Sequence, residues 1–143
     1  MIKTITDLGV LQRRFTLATA RLIDHIYEAG FEATYDEAKR SDEQAAINAL
    51  THDQRTRVAL LTKAEFPQLA AAIAASTSHG IVHSVHRLRL AVDLNLFKDG
   101  KYLDDTADYL PFGTWWKAQN PEARWGGDWG DADHFSFEYQ GVK

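Results

Sequence analysis

The chain has 143 residues, which is long enough for one domain with a sizeable core, and we expect residues 1–143 to form a single domain. Sixteen Lys and Arg against twenty Asp and Glu give a net charge of −4, which argues against the broad cationic surface of a nucleic-acid-binding protein. Cysteine is absent, so disulfides, thiolate metal sites and cysteine nucleophiles are excluded, and any metal ion must be held by His, Asp, Glu or water.

The first predicted element is a long amphipathic helix. Apolar residues recur every three or four positions from Leu8 to Ile26, which is the pattern of a helix that buries one face. Asp7 is suited to cap the start of this helix, and Gly30 is suited to end it. A short strand over 31–35 is expected to follow.

Further helices are predicted before the middle of the chain. Ser41-Asp42-Glu43-Gln44 has the form of a capping box, so a helix is expected to begin there and to reach about Leu50. Residues 53–75 are also typical of helix, with a break or a new first turn at Pro67. No apolar run is long enough for a signal peptide or a membrane span, so we expect no export signal and no stable membrane association.

The second half of the chain is predicted to be rich in strands. Apolar and other residues alternate over 88–96, which is the pattern of a strand with one buried face. Asp99-Gly100 then predicts a tight turn. The remaining predicted elements are a returning strand from 101, a short helix over 114–119, and strands over 124–128 and 134–139. Helices first and strands later predict an α+β fold, with N-terminal helices packed on a small antiparallel sheet.

Two stretches of the second half contain residues that could bind a metal ion. Ser84-Val85-His86 precede Asp93, a carboxylate in mid-strand that needs a partner such as a metal ion or an arginine. Asp131-Ala132-Asp133-His134 opens the last predicted strand. Taken singly, each stretch has an ordinary explanation, since a loop histidine and a polar turn are both common on protein surfaces.

Together with an upstream stretch, these segments resemble a known family. The segment SVHRLRLAVD (84–93) is similar to its motif Ser-x-His-x-x-Gly-x-Ala-x-Asp, and DADH (131–134) is similar to its acid-x-x-His motif. The upstream segment RSDEQ (40–44) is similar to its Arg-Ser/Thr-x-x-x-Gln motif, with the Gln one place nearer than in some relatives. The family is that of the zinc D-Ala-D-Ala carboxypeptidases and L-alanyl-D-glutamate endopeptidases, and the chain most resembles its small phage endolysins. The resemblance covers about residues 31–138. Arg89 stands where many members have glycine, at a position that does not bind the metal.

The resemblance implies a fold like that of the Hedgehog proteins and D,D-peptidases, with the sheet carrying one Zn²⁺ ion. The implied ligands are His86, Asp93 and His134. Asp131 would be the general base, and Asp133, which is adjacent to a ligand, is the competitor that strand alternation predicts to point away from the metal. Arg40 would stabilise the oxyanion of the tetrahedral intermediate.

Other residues are candidates for substrate contact or for packing. Ser84 is expected to orient the loop or the substrate, Gln44 belongs to the upstream motif, and Trp129 is expected to form a wall of the cleft. Trp115 or Trp116 is expected in the core. His79 and His83 are interpreted as loop residues and not as ligands.

The function implied by the resemblance is zinc-dependent hydrolysis of a peptide bond in the peptidoglycan stem peptide, by an L-alanyl-D-glutamate endopeptidase acting as a phage or prophage endolysin. The alternatives are a D-Ala-D-Ala carboxypeptidase or dipeptidase, and a non-catalytic zinc-binding module that interacts with the wall. A metal nuclease is disfavoured by the acidic charge. We expect a monomer that acts on the stem peptide and binds no nucleic acid. It is expected in the host cytoplasm before lysis and at the wall after release.

Overall fold

A computed structural model describes residues 7–37, 50–75 and 84–143 of the chain. The chain divides into two compact units, residues 1–39 with 85–143 and residues 40–84. Helices and an antiparallel sheet are both present, which confirms the predicted α+β class. The expectation of a single domain over residues 1–143 stays a prediction.

The first helix, α1, spans Leu8–Glu28 and has the boundaries that its sequence predicts. The Asp7 carboxylate accepts a hydrogen bond from the backbone N–H of Val10 at 2.9 Å and so caps the first turn. At the other end, Gly30 has a φ of 81°, the left-handed conformation that commonly follows a helix. The residues buried along the helix are Leu11, Phe15, Ala18, Thr19, Leu22 and Ile26.

Two shorter helices are described in the unit of residues 40–84. Helix α2 spans His52–Thr62, and Thr51 and Gln54 form a capping box at its start. Helix α3 spans Pro67–Ala75, so Pro67 begins a new helix as its fixed φ allows. The helix predicted over 41–50 lies outside the described residues apart from its last position. Among the described residues, no helix has the length and apolarity needed to cross a bilayer.

The strands of the described residues are β1 (Glu32–Glu37), β2 (Ala91–Lys98), β3 (Lys101–Leu103), β4 (Ala123–Trp125) and β5 (His134–Phe137). They form one sheet in the order β1-β2-β5-β4, with β3 paired to β2. Asp93 lies opposite His134, and Val92 lies opposite Phe135. Because side chains alternate across a sheet, Asp93 and His134 share one face, while Val92 and Phe135 share the other.

Helix α4 spans Thr106–Gln119 and is longer than the helix predicted over 114–119. Pro111 and Gly113 lie among its first eight residues, and both residue types argue against helix in a sequence. Gly113 is needed for packing, since a Cβ atom there would lie 2.1 Å from the indole ring of Trp125. The core forms where α1 and α4 pack on the apolar face of the sheet, and it contains Trp116, as expected.

Several predicted strand boundaries are wrong by a few residues, and three of them lie where a predicted strand is shortened. Strand β2 begins at Ala91 and not at position 88, β4 ends at Trp125, and β5 ends at Phe137. Residues Gly126–Trp129 form a 3₁₀ turn where the sequence predicted strand. In each case the strand is shortened by a turn that carries residues of the candidate site or lies beside it.

Candidate metal centre

Three side chains converge on the polar face of the sheet. His86 Nε2 lies 3.2 Å from Asp93 Oδ1 and 3.2 Å from His134 Nδ1, and His134 Nδ1 lies 3.1 Å from Asp93 Oδ1. Both imidazoles are buried and Asp93 is mostly buried. Among the described residues, these three form the group of His and acidic side chains that could hold a metal ion.

The spacing of the three atoms fits a tetrahedral zinc ion. Zinc binds histidine nitrogen and carboxylate oxygen at about 2.0–2.1 Å, so two ligand atoms of a tetrahedral site lie roughly 3.3 Å apart. The observed separations of 3.1–3.2 Å are close to that value on all three edges. Within residues 7–37, 50–75 and 84–143 these three atoms are the ones available, which leaves the fourth position of a tetrahedron to water or another ligand.

Hydrogen bonds alone account poorly for this triangle. A carboxylate oxygen only accepts, and each ring nitrogen either donates or accepts. If both His86 Nε2 and His134 Nδ1 donate to Asp93, two N–H groups converge on one oxygen with their nitrogens only 3.2 Å apart. If one ring nitrogen instead accepts from the other, its lone pair faces a lone pair of the Asp93 oxygen at 3.1 or 3.2 Å. A cation is attractive to all three atoms at once, and the donor set therefore fits a metal.

Asp93 is a carboxylate at neutral pH, as a metal ligand must be. Burial on its own would raise the pKa of Asp93, but hydrogen bonds and charge from His134 and His86 outweigh burial and lower this pKa to about 2. The cost of burying the charge is therefore offset by partners on two separate segments of the chain.

A tight turn positions His86. The N–H of Leu90 donates to the carbonyl of Val85 at 3.0 Å, and the N–H of Arg89 donates to the carbonyl of His86 at 3.2 Å. This pair of bonds is a Schellman motif, in which the residue at the second-last position adopts a left-handed conformation and is usually glycine. Arg89 holds that position with a φ of 56°. The turn explains why β2 begins only at Ala91.

Helix α1 holds the same turn from the outside. The side-chain amide of Gln12 donates to the carbonyl of Leu88 at 2.7 Å. The two residues are far apart in sequence, so the bond ties the histidine-bearing turn to the longest helix of its unit. Nothing in the sequence pattern singles out Gln12, because a polar residue on a helix surface is ordinary.

A second turn positions His134. The N–H of Asp131 donates to the carbonyl of Gly126 at 2.9 Å, and the N–H of His134 donates to that of Asp131 at 3.2 Å. A Cβ atom at Gly126 would lie 2.1 Å from the carbonyl oxygen of Asp131 and 2.7 Å from Cβ of His134. Gly126 therefore allows the chain to pass close beneath the turn.

Asp131 and Asp133 lie together in this turn. Their carboxyl groups are hydrogen-bonded to each other, and Asp131 is exposed. Burial, the charge of Asp93 and the contact with Asp131 raise the pKa of Asp133 to about 7. Strand β5 begins only at His134, so Asp133 lies just before the strand, and its expected orientation away from the metal stays a prediction. The choice of Asp131 as general base stays a prediction.

Of the tryptophans near the centre, one is exposed and one is buried. The ring of Trp129 meets that of His134 edge-on at 5.9 Å, and Trp129 is 41% exposed. Trp125 is buried, and its indole N–H donates to the carbonyl of Ala132 at 2.7 Å. Trp129 therefore has an exposed ring beside His134, and its contact with a substrate stays a prediction. Trp125 supports the turn that precedes His134.

The remaining predicted residues are Ser84 and four residues in the part of the chain that is not described. Arg40, Gln44, His79 and His83 lie outside the described residues. Ser84 is buried two residues before His86. The roles predicted for these residues, like the assignment of the three ligands, stay predictions.

Comparisons with known proteins give a likeness of fold but no family. No protein-family model matches the sequence, and no curated protein matches it. The chain is similar to the vancomycin-resistance D,D-pentapeptidase VanY from the VanB-type cassette, solved as a mutant with Zn(II), with a TM-score of 0.48 and 18% identity over 87% of this chain and 70% of that one. It is also similar to VanYB in complex with D-alanine-D-alanine, with a TM-score of 0.43 and 17% identity over 87% and 69% of the two chains. At these values the functional argument rests on the geometry of the site.

Proposed function

We propose that the chain is a zinc-dependent peptidase that hydrolyses a peptide bond of the peptidoglycan stem peptide. The observation that carries the proposal is the triangle of His86 Nε2, Asp93 Oδ1 and His134 Nδ1, with edges of 3.1–3.2 Å. Catalytic zinc sites have three protein ligands and an open position, whereas structural sites are closed by four. The donor set therefore favours a catalytic site over a zinc-binding module without activity.

Residues of the chain are proposed to supply the proton transfers. When bound in such a site, zinc supplies Lewis acidity that polarises a carbonyl group and makes water acidic enough to ionise near neutral pH. Asp131, an exposed carboxylate in the turn before His134, would accept the proton of the attacking water and return it to the leaving amine. The hydrogen bond from Asp133 would hold the Asp131 carboxyl in place. Arg40 would stabilise the oxyanion.

Two scissile bonds are consistent with the proposed centre. The motif resemblance favours the bond between L-alanine and D-glutamate, and with it the role of a phage or prophage endolysin. The solved neighbours favour the alternative, because one is named a D,D-pentapeptidase and the other is bound to D-alanine-D-alanine. A carboxypeptidase that removes the terminal D-alanine is thus the better supported of the two by comparison with known proteins.

The test is to incubate the zinc-loaded protein with purified peptidoglycan and with a free stem pentapeptide, and to identify products by mass spectrometry. A D,D-carboxypeptidase shortens the pentapeptide by one D-alanine, whereas an endopeptidase exposes a new amino terminus on D-glutamate. His86→Ala and His134→Ala should each lose zinc and activity. Absence of cleavage at both bonds, or stoichiometric zinc in the double variant, would overturn the proposal.

Variants of the acidic turn separate binding from catalysis. Asp131→Asn should keep zinc and lose turnover by ~10²–10⁴, the usual share of general acid–base catalysis. Asp133→Asn is the matched control, because the new amide can still donate a hydrogen bond to the Asp131 carboxylate. This variant should retain most activity. An inactive Asp133→Asn variant together with an active Asp131→Asn variant would show that Asp133, and not Asp131, is the general base. Arg40→Ala should keep zinc and lose ~100-fold in turnover.

A further inference from the structure

A lysine ammonium lies beside the metal centre. Lys143 Nζ is 4.7 Å from the centre of the Trp129 ring, and that ring meets His134 at 5.9 Å. Because the two contacts share one ring, the ammonium lies close to the His134 ring. The distance between them is at most about the length of three residues of extended peptide, at roughly 3.3 Å per residue. A peptide held at the metal centre can therefore reach it.

The fold of the last residues places Lys143 there. Tyr139 and Val142 exchange two backbone hydrogen bonds of 2.9 and 3.0 Å, and the residues between them, Gln140 and Gly141, have φ values of 50° and 82°. Two consecutive positive φ values are typical of a type I′ turn, which reverses the chain in two residues. The chain turns back after β5, and Lys143 meets the exposed Trp129 face.

The charges around Lys143 indicate what its ammonium can bind. A free carboxylate of a substrate is bound well where a cation with N–H donors lies near, and a lysine ammonium supplies both. Two other cations of this unit are already paired: Lys117 with Asp128 and Arg124 with Glu138, each at 2.8 Å. Within residues 7–37, 50–75 and 84–143, no acidic side chain forms an ion pair with Lys143. Its ammonium has three N–H donors, and contact with a ring face leaves donors for a ligand.

We propose that Lys143 and Trp129 form a subsite that binds a free carboxylate of the substrate peptide. The proposal rests on the proposed function, because it names the part of the stem peptide that the rim of the same centre recognises. Two carboxylates of the stem peptide have this chemistry, the one at the D-Ala-D-Ala terminus and the one on the D-glutamate residue. Trp129 holds the lysine in place through its ring face, and the ammonium binds the anion.

The experiment compares peptides that differ only in this charge. One pair is a peptide ending in D-Ala-D-Ala as free acid and as terminal amide; the other contains L-Ala-γ-D-Glu as free acid and as the D-isoglutamine amide. Dissociation constants are measured by calorimetry on the full zinc-loaded chain, and kcat and KM are measured wherever cleavage occurs. The variants are Lys143→Met, Lys143→Arg and, as control, Lys101→Met. Lys101 is also exposed but lies at the far end of the β2–β3 hairpin.

For one of the two peptide pairs, Lys143→Met should raise the dissociation constant of the free acid by roughly three- to tenfold. The dissociation constant of the matching amide should change by less than twofold, and kcat should stay nearly unchanged. Lys143→Arg should restore most of the difference, and Lys101→Met should have no effect. The pair that responds identifies the carboxylate. Equal effects on acid and amide, no effect on either pair, or no binding of any peptide by the wild-type chain would overturn the subsite. Binding that discriminates acid from amide without cleavage would overturn the proposed function alone.

Discussion

Arg89 has a backbone conformation that usually belongs to glycine. Its φ of 56° lies in the left-handed region, where a side chain crowds the following carbonyl at a cost of roughly 1–2 kcal/mol. The Schellman motif of residues 85–90 requires this conformation, because its two hydrogen bonds close the turn that presents His86. This backbone geometry explains why many members of the family that the sequence resembles have glycine at the position of Arg89.

Arg89→Gly should therefore stabilise the fold. The relief of strain exceeds the extra freedom of glycine in the unfolded chain, and we expect a gain of about 0.5–1 kcal/mol in the free energy of unfolding. Urea denaturation of the zinc-free protein measures the change. Arg89→Ala keeps the Cβ atom and should show no such gain, so equal stability of the two variants would contradict the strain.

Gly126 illustrates the opposite case, a glycine required by close packing. We expect Gly126→Ala to destabilise the protein by about 1–3 kcal/mol, because the new Cβ would lie 2.1 Å from the Asp131 carbonyl. It should also weaken zinc binding, measured with a chromophoric chelator, since the turn before His134 must shift. Gly9→Ala is the control: its Cβ would lie 3.3 Å from the Asp7 carboxylate, a side chain that can move. Equal zinc affinity in Gly126→Ala and wild type would show that the turn adapts.

At the scale of the elements, one buried hydroxyl links β2, β3 and α4. The Tyr109 hydroxyl donates to the carbonyl of Leu103 and accepts from the N–H of Leu96, both at 3.1 Å. The N–H of Leu96 lies in β2, close along the strand to Asp93. The bonds therefore hold the end of the β2–β3 hairpin against the helix.

Tyr109→Phe should cost about 1–2 kcal/mol at neutral pH, because it leaves the N–H of Leu96 without its partner. Burial raises the pKa of Tyr109 to about 12, above its value of 10.0 in the unfolded chain. The contribution of this group is thus complete below pH 10 and is lost as pH rises toward 12. Denaturation curves from pH 8 to 12 should fall less steeply in Tyr109→Phe than in wild type. The exposed Tyr35, changed to Phe, should reproduce the wild-type curve.

The sequence predicts these elements well where local chemistry decides them. The Asp7 cap, Gly30 and the Asp99-Gly100 turn each act within a few residues, so α1 and the β2–β3 hairpin are predicted correctly. The first eight residues of α4 are missed because Pro111 and Gly113 argue against helix, and the packing of Trp125 on Gly113 is visible only in the fold. Tertiary contacts override local propensity there.

The candidate centre shows the same division. The motif spacing brings His86, Asp93 and His134 into one prediction, and the structure brings the same three side chains together. Gln12 and Lys143 carry no sequence signal, because their contacts join segments that are distant in sequence. The relation between Asp131 and Asp133 also depends on where β5 begins, which alternation alone does not give.

For the molecule as a whole, a metal ion would connect β2, β5 and the His86 turn. A ligand that binds the folded state alone stabilises it by about 2.7 kcal/mol at a free concentration one hundred times its dissociation constant. For a chain of this size that gain raises the melting temperature by roughly 5–10 °C. We expect this difference between zinc-loaded and EDTA-treated protein in calorimetric scans.

The control for that measurement is the double variant His86→Ala/His134→Ala. It should melt at one temperature with zinc and with EDTA, because two of the three ligands are gone. A shift of equal size in the double variant would place the stabilising ion elsewhere in the chain.

The order of the three ligands along the chain has a consequence for how the protein is made. His86 and Asp93 leave the ribosome close together, but His134 follows Asp93 by 41 positions. At about 5–20 residues per second, roughly two to eight seconds separate the synthesis of the second and third ligands. During that interval β5 is missing from its place between β2 and β4, so the nascent chain has only part of the centre. If the three side chains bind zinc as proposed, binding by all three can begin only after His134 has been synthesised, late in the production of the chain.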